Sequence, residues 1–135
     1  MRHLHDFGAL FRKLRLEKKF KLGRLADVLG HAVSYQRAVE LGRRKPFKPI
    51  TIHRAAFVMA LDDSDRDLLL KLAMIQERKF VLPWHRNCQL NTFAGDLAVE
   101  WANLDDAAMF EMTCALGRFR ERRDRERGIC LKALP

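Results

Sequence analysis

Residues 22–46, LGRLADVLGHAVSYQRAVELGRRKP, constrain what this chain can fold into more than any other stretch. Leu22, Leu25, Ala26 and Leu29 fall at i, i+3, i+4 and i+7, one face of a short helix. Gly30 follows where a helix commonly ends in the left-handed conformation. A second helical segment, 33–41, comes next and stops at Gly42. Helix, short turn with glycine, helix is the sequence form of a helix-turn-helix unit.

The charge distribution gives that unit a partner class. The 135 residues carry a net charge of +9. Residues 1–80 hold 18 Lys/Arg against 9 Asp/Glu, whereas residues 81–135 hold 8 of each. Between Arg12 and Lys48 alone there are 12 basic and 3 acidic residues, so the excess lies in and beside the helical pair. Concentrated positive charge is the electrostatic footprint expected for a polyphosphate partner, although a basic surface also serves solubility.

Around the unit, periodicity predicts further helices. Asp6 is placed to cap a first helix with an apolar stripe of Phe7, Leu10, Phe11 and Leu14. Its other face is expected to present Arg12, Lys13, Arg15, Lys18 and Lys19. The second helix starts with Lys21 and Arg24 in place of a polar cap and an acid, which sets charge against the dipole unless a phosphate lies nearby. In the third, Val39 is expected to face the core with Tyr35 on the same side, while Val33, Ser34, Arg37 and Ala38 share another face. Arg can hydrogen-bond guanine, Ser pairs with several groups, and Val or Ala can touch a thymine methyl. The loop Gly42-Arg43-Arg44-Lys45-Pro46 offers three cations at one point, suited to phosphate contacts that fix register.

Pro49 is read as a barrier, so Thr51 is expected to cap a fourth helix reaching residue 61 and burying Ile52, Ala56, Met59 and Ala60. Asp62-Asp63-Ser64 marks a turn into a fifth helix, 64–78, with Leu68, Leu69, Leu72, Ala73 and Ile75 inward. Five helices with short joints give an all-α domain over residues 1–80.

Residues 7–73 resemble the lambda-repressor-like (xenobiotic-response-element type) helix-turn-helix family. The likeness rests on FGALFRKLR, LxxLADVLG, SYQRAVELGRRKP and the LDDSDRDLLLKLA helix. It implies a sequence-specific binder of double-stranded DNA, a transcriptional regulator and more readily a repressor, acting as a homodimer on a two-fold operator. Such regulators often belong to phages or other mobile elements. The resemblance carries base reading to Val33, Ser34, Arg37 and Ala38, and phosphate contact to Arg24, Arg43, Arg44 and Lys45. Gln36 occupies a position that is usually apolar: either it makes a buried hydrogen bond, or it joins the base-reading set. Lys21 and Gly23 also depart from the pattern.

Residues 81–135 read as a helical C-terminal extension after a loop or short strand at 81–91. Asn91-Thr92 is expected to cap a sixth helix with Ala94, Leu97, Ala98, Trp101 and Leu104 at helical spacing. Asp105-Asp106 starts a seventh, with Met109, Met112, Thr113, Leu116 and Phe119 on one face and Gly128 as its stop. The tail Arg118–Arg127 mixes signs, with Glu121–Arg125 and Arg120–Asp124 pairs expected, and suits a solvated helix end or a second nucleic-acid contact. Three uses remain open for this region: an extension of the first core, a dimerisation element, or a surface that grips a partner protein. The last gives a second function class, an antitoxin-type interaction protein whose DNA binding is autoregulation; RNA binding through the basic helices is a third.

Enzyme motifs are missing: no nucleophile elbow, phosphate loop, HExxH or paired-carboxylate arrangement in a plausible pocket. Cys88, Cys114 and Cys130, with the five histidines, have no metal-ligand spacing, so free reduced thiols, no metal and no cofactor are expected. No apolar run approaches the roughly 18 residues that cross a bilayer, and the first residues lack a leader's apolar core. A cytoplasmic protein with no membrane partner is the expectation.

Overall fold

The computed structural model describes the backbone of residues 6–132 and the side chains of residues 6–128. Among the described residues all regular structure is helical. The helices are α1 (Phe7–Glu17), α2 (Leu22–Leu29), α3 (Val33–Glu40), α4 (Pro49–Val58), α5 (Asp63–Glu77), α6 (Cys88–Glu100) and α7 (Asp106–Lys132), with one 3₁₀ turn at Trp101–Asn103. The chain divides into two compact units between Val81 and Leu82.

In the first unit, α1 packs on α3 and α5, α2 on α3 and α4, and α4 on α5. The core holds Phe7, Phe11 and Leu14 of α1, Leu25 and Leu29 of α2, and Val39 of α3. Ile52, Met59, Leu69 and Leu72 join it from α4 and α5. The stripes of α1 and α2 therefore stand where their periodicity puts them. One close approach needs glycine: a Cβ on Gly8 would run into the Val39 carbonyl oxygen and lie 2.6 Å from that of Glu40. The missing side chain lets α1 rest against the last turn of α3.

Every helix of this unit ends the same way, with two amides returning to the last carbonyls and the following residue left-handed. Gly30 (φ 76°) and Gly42 (φ 75°) do this after α2 and α3, but Lys19, Ala60 and Arg78 do it after α1, α4 and α5. Ala60 is accordingly exposed, a terminator and not the core residue that spacing suggests.

Several other expectations need correction. Arg15 is buried, 7% exposed, because it reaches Glu40 on α3. Helix α4 begins at Pro49, not after Thr51, since the first helical position needs no amide donor and tolerates the ring. Leu68 and Ile75 of α5 face outward, and Leu69, Leu72 and Ala73 carry the contact. No strand forms between Val81 and Asn91; the chain is irregular to Asn87, whose side chain accepts from Gln89 N at 3.0 Å and caps α6. Asn91 does not cap: its amide closes a double bridge to His85, accepting from the backbone N at 2.9 Å and donating to the carbonyl at 2.7 Å. Asp105 does cap α7, accepting from Ala108 N at 2.8 Å. That helix runs through Gly128 to Lys132, as an interior glycine costs only about 1 kcal/mol in a long helix. Among the described residues, the ion pair in its Arg-rich part is Arg123–Asp124 at 3.1 Å, in place of the two spaced pairs expected.

No helix among the described residues is long and apolar enough to cross a membrane. None of their His, Cys, Asp and Glu side chains form a group of three able to hold a metal ion. Cys88 is exposed and Cys114 half-buried, both as free thiols. The side chain of Cys130, and His3 and His5, lie outside the described residues.

Candidate nucleic-acid interface

The turn between α2 and α3 is three residues long, Gly30-His31-Ala32. Gly30 N bonds to Asp27 O and His31 N to Ala26 O, both at 3.1 Å, which satisfies the last carbonyls of α2 and turns the chain. Leu25, Ala26 and Leu29 bury the inner face of α2, and Gln36, Val39 and Glu40 bury that of α3. With 3.6 residues per turn, these positions turn Ser34 and Ala38 to the opposite side and set Arg37 on the flank, while Val33 stands at the open first position of the helix. Val33 (47% exposed), Ser34 and Arg37 are exposed and Ala38 is half-buried.

Gln36 does not belong with them. Its side chain is 0% exposed, and it sits inside a polar chain that links four elements. His31 Nε2 lies 2.8 Å from Gln36 Oε1, and Gln36 Nε2 donates to Glu40 Oε2 at 3.2 Å. Arg15 donates through Nε to Glu40 Oε1 at 3.0 Å, and through Nη1 to the Phe20 carbonyl at 2.9 Å. The buried alternative is the one the packing selects. A buried carboxylate needs both a counter-charge and donors for its remaining lone pairs, and here Arg15 and Gln36 supply them. No buried side-chain N or O is left without a partner among the described residues.

The phosphate candidates Arg24, Arg43, Arg44 and Lys45 are all exposed. Their loop is held from beneath by Phe47, 3% exposed, which packs edge-on against Phe7 and Phe11 at 5.8 and 5.1 Å between ring centroids. The other side of Phe47 stacks on His31 at 5.1 Å, so one ring ties the α2–α3 turn, the basic loop and α1 together. The sequence signal for this anchor was a lone aromatic between Pro46 and Lys48, in a stretch otherwise charged.

How the helices begin divides the chain. Asp6, Asp62, Asn87 and Asp105 cap α1, α5, α6 and α7 with a side-chain oxygen. Helices α2, α3 and α4 start at Lys21, Ala32 and Lys48 with no side-chain cap. The first amides of α2 and α3 keep unused donors at the positive end of the helix dipole, an arrangement that suits anions, whereas α4 opens on Pro49, which has no amide donor, and Thr51 N already bonds to Lys48 O. The starts of α2 and α3 are neighbours, because Val33 Cγ2 comes within 3.8 Å of where a Cβ on Gly23 would stand. Between α1, the start of α2 and the last turns of α3 an open cavity of about 250 Å³ is lined by Arg12, Arg15, Leu22, Arg37, Glu40 and Leu41. Since Glu40 is neutralised by Arg15, the exposed Arg12 and Arg37 leave that concavity positive.

Comparison with protein-family models, with curated proteins and with solved structures found no match for the chain.

Proposed function

We propose that residues 6–81 form a sequence-specific, double-stranded DNA-binding domain of the lambda-repressor-like helix-turn-helix kind, and that the protein is a homodimeric transcriptional repressor. One observation carries this reading: the outward face of α3 begins at an uncapped helix start that neighbours the uncapped start of α2, within a stretch of 12 basic and 3 acidic residues. An anionic backbone would fill those donors and neutralise those cations, releasing counterions as it does so. Phosphate contacts from Arg24, Arg43, Arg44 and Lys45 would set the register of α3 in the major groove. Val33, Ser34, Arg37 and Ala38 would then meet base edges, with Arg37 suited to guanine. A protein fixed over a promoter excludes polymerase.

Footprinting on the DNA upstream of its own gene tests the reading. The expected result is protection of two related half-sites spaced by about one helical turn, roughly 10 base pairs. Protection no stronger than on random DNA at physiological salt refutes it. Within a footprint, Arg37→Ala is expected to relax preference at one position per half-site and to cost about 1–3 kcal/mol on the specific site. Equal weakening on specific and random DNA removes Arg37 from the base-reading set.

A further inference from the structure

The unit beginning at Leu82 has helices without a core. None of its described side chains is buried, and Phe93, Trp101, Met109, Phe110, Leu116 and Phe119 are about half exposed or more. On α7, Met109, Met112, Leu116 and Phe119 follow each other at steps of three, four and three, the spacing of a coiled-coil seam. Extending the same steps in both directions places Asp105 at one end of the seam and Arg123 at the other.

Charge is segregated along the stretch that runs from α6 through α7. Residues 88–117 contain five carboxylates (Asp96, Glu100, Asp105, Asp106, Glu111) and no Lys or Arg. Residues 118–127 contain six arginines and three acids. Within the chain, Arg122 and Arg123 lie over the Phe119 ring at 5.9 and 5.8 Å, which keeps cations beside the apolar seam.

We infer that the seam of α7 is covered by α7 of a second copy of this chain, running antiparallel. A parallel pair would set Asp105 on Asp105 and Arg123 on Arg123, like charge on like at both ends. The antiparallel register that pairs Met112 with Leu116 of the second copy also pairs Met109 with Phe119, so all four apolar positions are used. In that register Asp105 meets Arg123, and Asp106 meets Arg120 along the flank. One arrangement thus satisfies the apolar spacing and the charges together. This deepens the dimeric part of the function proposed above and rests on it.

Sedimentation of the full chain tests the inference. The expected species has twice the 15.8 kDa chain mass. Reversing Arg120→Glu and Arg123→Glu is expected to weaken self-association about tenfold or more, because each copy then sets acid on acid at both ends. Asp105→Lys with Asp106→Lys is expected to do the same. Mixing the two double variants should restore a dimer, which shows that both chains are folded. A monomer for the wild type overturns the inference, as does an R120E/R123E chain that dimerises like the wild type, the result for a parallel pair. A monomer that still gives a footprint would sink this interface and leave DNA binding standing; a dimer that gives none would do the reverse.

Discussion

Replacing Glu40 by Gln keeps the volume of a buried side chain and removes its charge. The Arg15 and Glu40 side chains are 8% and 3% exposed, with Nη2 and Oε1 at 3.0 Å, so the guanidinium has little water to fall back on. Breaking a buried pair by removing one partner typically costs about 3–5 kcal/mol. Two features pull this case towards about 3 kcal/mol: Arg15 keeps its bond to the Phe20 carbonyl, and the new amide oxygen can still accept from it. Against a total stability of about 5–15 kcal/mol, the domain remains folded but loses a large share of its margin. Arg15→Met is expected to cost a similar amount, by leaving the carboxylate with Gln36 alone. Arg15→Met with Glu40→Leu is expected to lie within about 2 kcal/mol of the wild type, because neither charge is then buried. Urea titration followed on the Tyr35 ring signals isolates this unit, since Tyr35 is the sole tyrosine and both tryptophans follow Val81. A cost below about 1 kcal/mol for Glu40→Gln, or an Arg15→Met/Glu40→Leu chain no more stable than Arg15→Met alone, refutes the reasoning.

Gly8→Ala drives a methyl group into two backbone carbonyls and is expected to cost about 1–3 kcal/mol, read as a fall in the urea midpoint; an unchanged midpoint disproves the tight α1–α3 contact. Gly23→Ala has the opposite sign, because its Cβ would meet only Val33 at an ordinary 3.8 Å. A gain of about 0.5–1 kcal/mol is expected from the stiffer helix start, and a loss in thermal melting contradicts it. Arg44→Ala is expected to weaken all DNA sequences alike and lower the salt slope of binding by about one; a steady slope removes Arg44 from the phosphate contacts.

What the sequence revealed tracks how local each cause is. The stripes of α1 and α2 and the Gly30 turn depend on neighbours within a helical turn, and all three were legible. Arg15 was misplaced on the outer face because its partner lies 25 residues away and no short-range pattern joins them. Gln36 was undecidable for the same reason, since its fate depends on Glu40 already being paired. Pro49 misled through its usual role as a breaker, although its ring suits the first position of α4. Phe47 was overlooked, as one aromatic in a charged loop carries no periodicity. The exposure of Ser34 and Arg37 followed from α3's own spacing and the missing cap of α2 from Lys21 and Arg24, whereas the missing caps of α3 and α4 gain meaning only once set against the capped helices.

The polar chain behind α3 has a consequence for how such a protein can change over time. Gln36, Val39 and Glu40 set where α3 lies, whereas Val33, Ser34 and Arg37 touch little of the core. Substitutions on the outer face are therefore nearly free of folding cost, and those on the inner face are not. On the function proposed above, descent can rewrite what the surface prefers one residue at a time while the scaffold stays still. Copies with new preferences would share Arg15, Gln36 and Glu40 and differ at 33, 34 and 37.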